Sequence, residues 1–281
     1  MPIFKQVAGL SQRSASERGD QLSPPWPDIA ISCGQQSVPY AIAIKRQSPK
    51  TFTLHIQSPG VNTRVFDLIA APEHDLLKGS NVIETRGALH AVTAEKLATE
   101  AMCFQRVIAQ LPRPFITILV GGSTSAHQVS TEEITELAQR LCTLGRSSGG
   151  TLLVTPSRRT GKENEAVLRS HLQQVPSLIW DGISENPYLG MLAVADYVLV
   201  TADSICMVSE ACATGKPVYV LDVVGGGQRH KRFHDQFASL GITRPYEGKL
   251  ESWSYETFNE AQRVAFEVRK LMAIHISGEK P

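Results

Sequence analysis

Apolar residues fall in short runs separated by segments with helical spacing, and the two kinds of segment alternate along the chain. A short apolar run bounded by turn formers reads as a buried strand, and apolar positions every three to four residues read as a helix packed on a sheet. DIAISC (28–33) follows Pro24, Pro25 and Pro27 and predicts a strand entered from extended backbone. QSVPYAIAIKRQ predicts a helix with Pro39 in its first turn, where a missing N–H is harmless. TFTLHI (51–56) and FDLIAA (66–71) predict two further strands, with a short one near Val82–Glu84. Thr93 then caps a helix running to about Leu111.

Leu111–Pro112 and Arg113–Pro114 interrupt both helix and strand, so a domain boundary is expected there, giving units 1–112 and 113–281. The second αβ series begins with the strand FITILV (115–120) and the loop GGSTSAHQ. Ser130 with Glu133 forms a capping box that opens a helix to about Ser147. GTLLVTP, SLIWD, YVLVT (197–201) and VYVLDV predict the remaining strands. Helices are expected near 163–174, 186–195, over SICMVSEACAT, and around 230–240 and 256–274. Alternation of this kind predicts two parallel-sheet, Rossmann-like domains, with ligands at the carboxyl ends of the strands, in the cleft two such domains leave.

Composition narrows the chemistry. At 281 residues, 42% hydrophobic and 20% charged, the chain holds material for one or two buried cores. The net charge of +1 provides no global field for nucleic acid or an anionic membrane, so any anion must be held locally. Five cysteines, Cys33, Cys103, Cys142, Cys206 and Cys212, never form a C-x-x-C pair, and read as small core residues of a protein from a reducing compartment. Residues 1–25 lack the apolar stretch of a secretory signal and read as a poorly ordered polar lead. No apolar run reaches the ~20 residues of a membrane span. A cytoplasmic protein, at most peripheral to a membrane, is expected.

Familiar signatures are missing. There is no G-x-G-x-x-G, no complete P-loop around Thr214–Pro217, and GGSTSA departs from the G-x-S-x-G elbow at Ser125. His230 and His234 are spaced i, i+4, but without a third ligand they read as a surface pair; no metal and no cofactor are expected. Two loops say more. Gly121, Gly122, Ser123 and Ser125 follow one strand, and Thr201–Ala202–Asp203–Ser204 joins another to the start of a helix. Glycine backbone, hydroxyls and a helix N-terminus suit a diphosphate. The alternative is ordinary turn and cap chemistry, with Asp203 or Ser204 satisfying N–H groups. Glu210, six residues past Ser204, reaches the same rim and suits ribose hydroxyls, or is a solvated helix carboxylate.

GGSTSA followed by ADYVLVTADSICMVSEACATGKPVYVL resembles the donor half of GT-B glycosyltransferases. A closer resemblance runs through IQSPG, FDLIAAPEHD, TRGALH, ENPYLGMLAVADYVLVTADS, SEACATGKPVYV, KRFHDQF and ESWSY, in order from about Trp26 to Met272: these resemble the mitochondrial fission "elongated mitochondria" family, including bacterial members. The resemblance implies a GT-B-like fold with a diphosphate site at Gly121, Gly122, Ser123, Ser125, Asp203 and Ser204, and Glu210 on the ribose. For plants it implies recruitment of a dynamin-related protein at the outer mitochondrial surface. It also implies more αβ structure before PPWPDIAISCG than residues 1–25 provide, since one βαβ unit takes ~30 residues. A shortened first domain is therefore expected, with fewer strands than the second and an exposed edge.

Two function classes follow. One is an enzyme moving a sugar from a nucleoside diphosphate to an unknown acceptor, with Arg229, Lys231 and Arg232 adding phosphate contacts and His90, Glu73 or Asp75 as the base. The other is a non-catalytic adaptor that keeps the fold and uses its surface.

Overall fold

The computed structural model describes residues 22–124, 128–222 and 227–277. It divides into two units, one formed by residues through Leu89 together with Glu260 onward, the other by His90–Asn259. The division falls before His90 because the helix Ala94–Ile108 packs into the second core, and it falls again at Glu260 because the last helix packs on the first sheet.

The first unit holds β1 (Ile29–Cys33), α1 (Val38–Gln47), β2 (Phe52–Ile56), β3 (Leu68–Pro72) and β4 (Val82–Thr85), with the strands parallel in the order β1-β2-β3-β4. On one face Val38 and Ala41 of α1 meet Phe66, Ile69 and Ala71. On the other, Phe52, Leu54, Leu68 and Ala70 are covered by Val264 and Val268 of α8 (Glu260–Ser277). The i, i+4 spacing of Val264 and Val268 puts both on one stripe of that helix, which explains its seat there. Asp67 ties the layers: it accepts from the Thr53 amide and hydroxyl and pairs with Lys45 of α1 at 2.7 Å. Among the described residues strand β1 is an edge, and its Ile31 is 62% exposed. Four described strands stand here against six in the second sheet.

The second unit opens with α2 (Ala94–Ile108) and β5 (Phe115–Val120). It continues with α3 (Thr131–Ser148), β6 (Thr151–Pro156), α4 (Lys162–Leu172), β7 (Ser177–Ile179) and α5 (Tyr188–Val194). It ends with β8 (Tyr197–Thr201), α6 (Ile205–Cys212), β9 (Val218–Leu221), α7 (Gln228–Ser239) and β10 (Thr243–Pro245). Every residue of β5 and β6 is buried, as continuous apolar runs in a sheet covered on both faces require. The capping box is present: Ser130 Oγ accepts from Glu133 N, and Glu133 returns a carboxylate to the Ser130 amide. The apolar stripe Ile134, Leu137, Leu141 and Leu144 then packs α3 into the core. Strand β10, three residues ending in proline, has no apolar run and was not expected.

The cysteine reading is corrected in part. Cys142 and Cys212 are buried, but Cys33, Cys103 and Cys206 are exposed, because each faces away from its sheet or helix stripe. Among the described residues, no helix is long and apolar enough to cross a membrane.

Candidate functional site

The parallel strands of the second sheet lie in the order β10-β9-β8-β5-β6-β7. Chain order runs outward from β5 in one direction and from β8 in the other, so the sheet reverses between β5 and β8. That reversal is the Rossmann switch point, where the connections leave a crevice at the carboxyl ends. The loop after β5 carries Gly121–Ser123, and the loop after β8 carries Asp203 and Ser204, so topology brings the two predicted loops together. Ser125 lies outside the described residues.

The junction is tightly bonded within itself. The Gly121 amide donates to Thr201 Oγ1 at 2.7 Å, the Gly122 amide to Asp203 Oδ2 at 3.0 Å, and the Ser123 amide to the Arg159 carbonyl at 3.1 Å. Thr201 in turn donates its hydroxyl to Asp203 Oδ1 at 2.6 Å. Both glycines are dictated by close approach: a Cβ on Gly121 would lie 2.1 Å from the Asp203 carboxylate oxygens, and one on Gly122 2.1 Å from the Arg159 carbonyl. What approaches these glycines is the protein itself. Ser204 caps α6, its Oγ accepting from the Met207 amide, and Ser123 Oγ accepts from Val129. The cap alternative thus describes Ser204 well, and Asp203 stands in the loop as an internal carboxylate.

Arg159, which the sequence reading passed over, sits at the centre. Its Nη1 pairs with Asp203 Oδ2 at 2.8 Å and donates to the Gly122 carbonyl at 3.2 Å. The guanidinium side chain is 40% exposed over a carboxylate that is 5% exposed. Thr160 beside it holds the turn down by donating to the Gly121 carbonyl. The signal was available: Ser157–Arg158–Arg159–Thr160 stands directly after a predicted strand, where a rim loop must lie.

Glu210 lies one and a half turns into α6, where Oε2 accepts the Tyr188 hydroxyl at 2.5 Å. Burial holds the Glu210 carboxyl above the usual carboxylate range, opposed by the Tyr188 hydrogen bond, and burial likewise raises the Tyr188 phenol. Beyond β8, a pocket of about 410 Å3 is lined after β8 and β9 by Ala202 and Asp222, along β10 by Thr243 and Arg244, and on α7 by His230, Lys231 and His234. His234 Nε2 bonds the Ala202 carbonyl at 2.8 Å, and burial holds the imidazole below its usual pKa. The two histidines are therefore a rim feature rather than a surface pair. Lys231 pairs with Asp235 at 2.6 Å beside the same pocket, while Arg229 lies exposed at the helix start and Arg232 is half-buried. Among the described residues, no group of His, Cys, Asp and Glu is arranged to hold a metal ion.

The predicted bases lie elsewhere. Glu73 and Asp75 form a short turn after β3 of the first unit, with Glu73 exposed and Asp75 accepting from the Ser58 amide at 3.3 Å. His90 belongs to the second unit. Both its ring nitrogens are buried, and burial lowers its pKa, opposed by the Val92 backbone, which favours the protonated ring.

Solved structures of similar fold include the UDP-GlcNAc 2-epimerase of Methanocaldococcus jannaschii, at TM-score 0.54 and 12% identity over 95% of this chain and 81% of that one. The Neisseria meningitidis UDP-GlcNAc 2-epimerase matches at TM-score 0.53 and 14% identity, over 94% of this chain and 80% of that one. These likenesses show the fold, two parallel α/β sheets resembling GT-B proteins. In sequence, the chain is 29% identical over 297 residues to the mitochondrial fission protein ELM1 of Arabidopsis thaliana, covering 96% of this chain and 68% of that protein. It is 25% identical over 291 residues to an uncharacterized protein of Rickettsia prowazekii, covering 89% and 81% respectively. The family pattern "Mitochondrial fission ELM1" matches residues 3–272, and the chain belongs to that family.

Proposed function

We propose that the second unit binds a nucleoside diphosphate sugar at its carboxyl rim and passes the sugar to an acceptor hydroxyl. The observation that carries this reading is the switch point between β5 and β8, with an arginine over it and a pocket of about 410 Å3 at its side. A diphosphate lies at the switch point, Glu210 takes ribose hydroxyls, and the donors and acceptors of Asp222, His230 and His234 suit sugar hydroxyls. In the transfer the bond from the sugar's anomeric carbon to the diphosphate oxygen breaks, and one to the acceptor oxygen forms. The acceptor proton passes to a base, assigned to His90 of the same unit. The Neisseria epimerase was solved with UDP-GlcNAc bound, which makes uridine nucleotides the first ligands to test.

The test is calorimetric titration and thermal unfolding of the whole chain with UDP, GDP and their sugars. A binding nucleotide at 100 times its Kd adds about 2.7 kcal/mol of stability. Glu210→Ala should weaken nucleotides while leaving inorganic diphosphate unchanged. Where turnover is found, His90→Ala should slow it ~10²–10⁴-fold with nucleotide affinity preserved. One observation favours a second reading, an adaptor acting through a dynamin-related partner: Asp203 already fills the loop where an anion was expected. Absence of any nucleotide binding by folded protein would select it.

A further inference from the structure

The three amides of the glycine loop, at Gly121, Gly122 and Ser123, all have partners within the protein. A loop in that state has no N–H left to give a phosphate. Asp203 cannot step aside either: its carboxylate takes Gly122, Thr201 and Arg159 in a site where it is 5% exposed, and moving it would strand a buried charge and two buried donors. The loop instead seats the Ser157–Thr160 turn. The Ser123 amide bonds the Arg159 carbonyl, the Gly122 carbonyl receives the Arg159 guanidinium, and the missing Cβ of Gly122 is what lets the turn lie so close.

We infer that Arg159 is the residue that binds the ligand's phosphoryl groups, and that Asp203 is a positioning residue that aims it. Among the described residues, both polar contacts of the guanidinium run through Nη1, so the Nη2 and Nε hydrogens remain for a two-pronged grip on phosphoryl oxygens. The buried carboxylate fixes the plane of the fork, and the exposed outer edge meets the ligand. This deepens the proposed function, since it names the group that recognises the diphosphate and withdraws that role from the loop amides and from Asp203.

The experiment is calorimetric titration of the wild type, Arg159→Gln, Arg159→Lys and Asp203→Asn with inorganic diphosphate, UDP and uridine, each protein first shown to be folded by thermal unfolding. Arg159→Gln should lose about 10- to 100-fold in affinity for UDP and diphosphate, the worth of charge-assisted hydrogen bonds, with uridine unaffected. Arg159→Lys keeps the charge without the fork and should fall between the two. Asp203→Asn should weaken diphosphate while leaving Arg159 in place, and Arg159→Gln should cancel that further loss in the double variant. Wild type that binds UDP no better than Arg159→Gln overturns this inference and leaves the nucleotide reading standing. Diphosphate binding through Arg159 without any preference for a nucleotide overturns the nucleotide reading and supports this one. No binding of either overturns both.

Discussion

Each unit places an aspartate at the carboxyl end of its sheet to accept a loop amide, and the two aspartates differ in what lies above them. In the first unit Asp75 accepts from Ser58 at 3.3 Å, and its side chain is 4% exposed. In the second unit Asp203 is equally buried, but it accepts from Gly122 and Thr201 and carries Arg159 as well. The first arrangement closes a turn. The second closes a turn and leaves a half-exposed cation at a strand-order reversal. A buried carboxylate is thus common to both rims, and in the second it holds Arg159 beside a strand-order reversal, the feature on which the proposed anion site rests.

The comparison breaks most directly through the two carboxylates. Asp203→Ala should cost about 2–5 kcal/mol in urea unfolding, because two buried donors, the Gly122 amide and the Thr201 hydroxyl, lose their partner together. Asp75→Ala removes the Ser58 hydrogen bond and the carboxylate beside His74 and should cost less, about 1–3 kcal/mol. Equal losses would mean that the two rims are built alike after all. Next in size is Gly122→Ala, whose new methyl meets backbone at 2.1 Å and should cost about 1–3 kcal/mol as an overpacked site. It should also weaken diphosphate binding, because the turn carrying Arg159 must shift. Stability lost without any change in diphosphate affinity would separate the glycine loop from the arginine.

Much of this was legible in the residues. The central strands stood out because strands buried on both faces read as unbroken apolar runs, and the Ser130–Glu133 box marked its helix start without help from packing. The proximity of Gly121–Ser123 to Asp203 followed from strand ends sharing one rim. Other features depended on partners the sequence does not name. The stripe of Val264 and Val268 says that α8 packs on something, but not that it packs on the first sheet. Thr243–Pro245 is a strand only because β9 lies beside it. Arg159 in a polar turn looks like any solvated arginine until a carboxylate 44 positions later in the sequence fixes it. The glycines were read as room for a ligand, and the room belongs to the Asp203 side chain and the Arg159 backbone.

The smallest effect expected is a pH dependence shared by the two units. His55 on β2 is fully buried, stacks on Phe66 with ring centres 4.9 Å apart, and meets Ser32 Oγ through Nδ1 at 2.8 Å. Its Nε2 has no hydrogen-bond partner among the described residues, so a second proton there would be buried without an acceptor. Burial accordingly lowers the pKa of His55, and it does the same to His234 and His90 in the second unit. The sign follows from proton counting. A histidine whose folded pKa lies below its unfolded value of about 6.5 binds fewer protons folded than unfolded, so stability is full above that value and falls as pH drops below it. Urea midpoints should therefore decline between about pH 6.5 and 5, and His55→Phe, which keeps the ring stacked on Phe66 without a titrating nitrogen, should flatten part of that decline. His234→Phe should flatten another part while also removing the bond to Ala202, so it should lower stability at pH 7.5 where His55→Phe changes it less. A pH profile identical in the wild type and in both variants would show that neither imidazole contributes to the acid sensitivity.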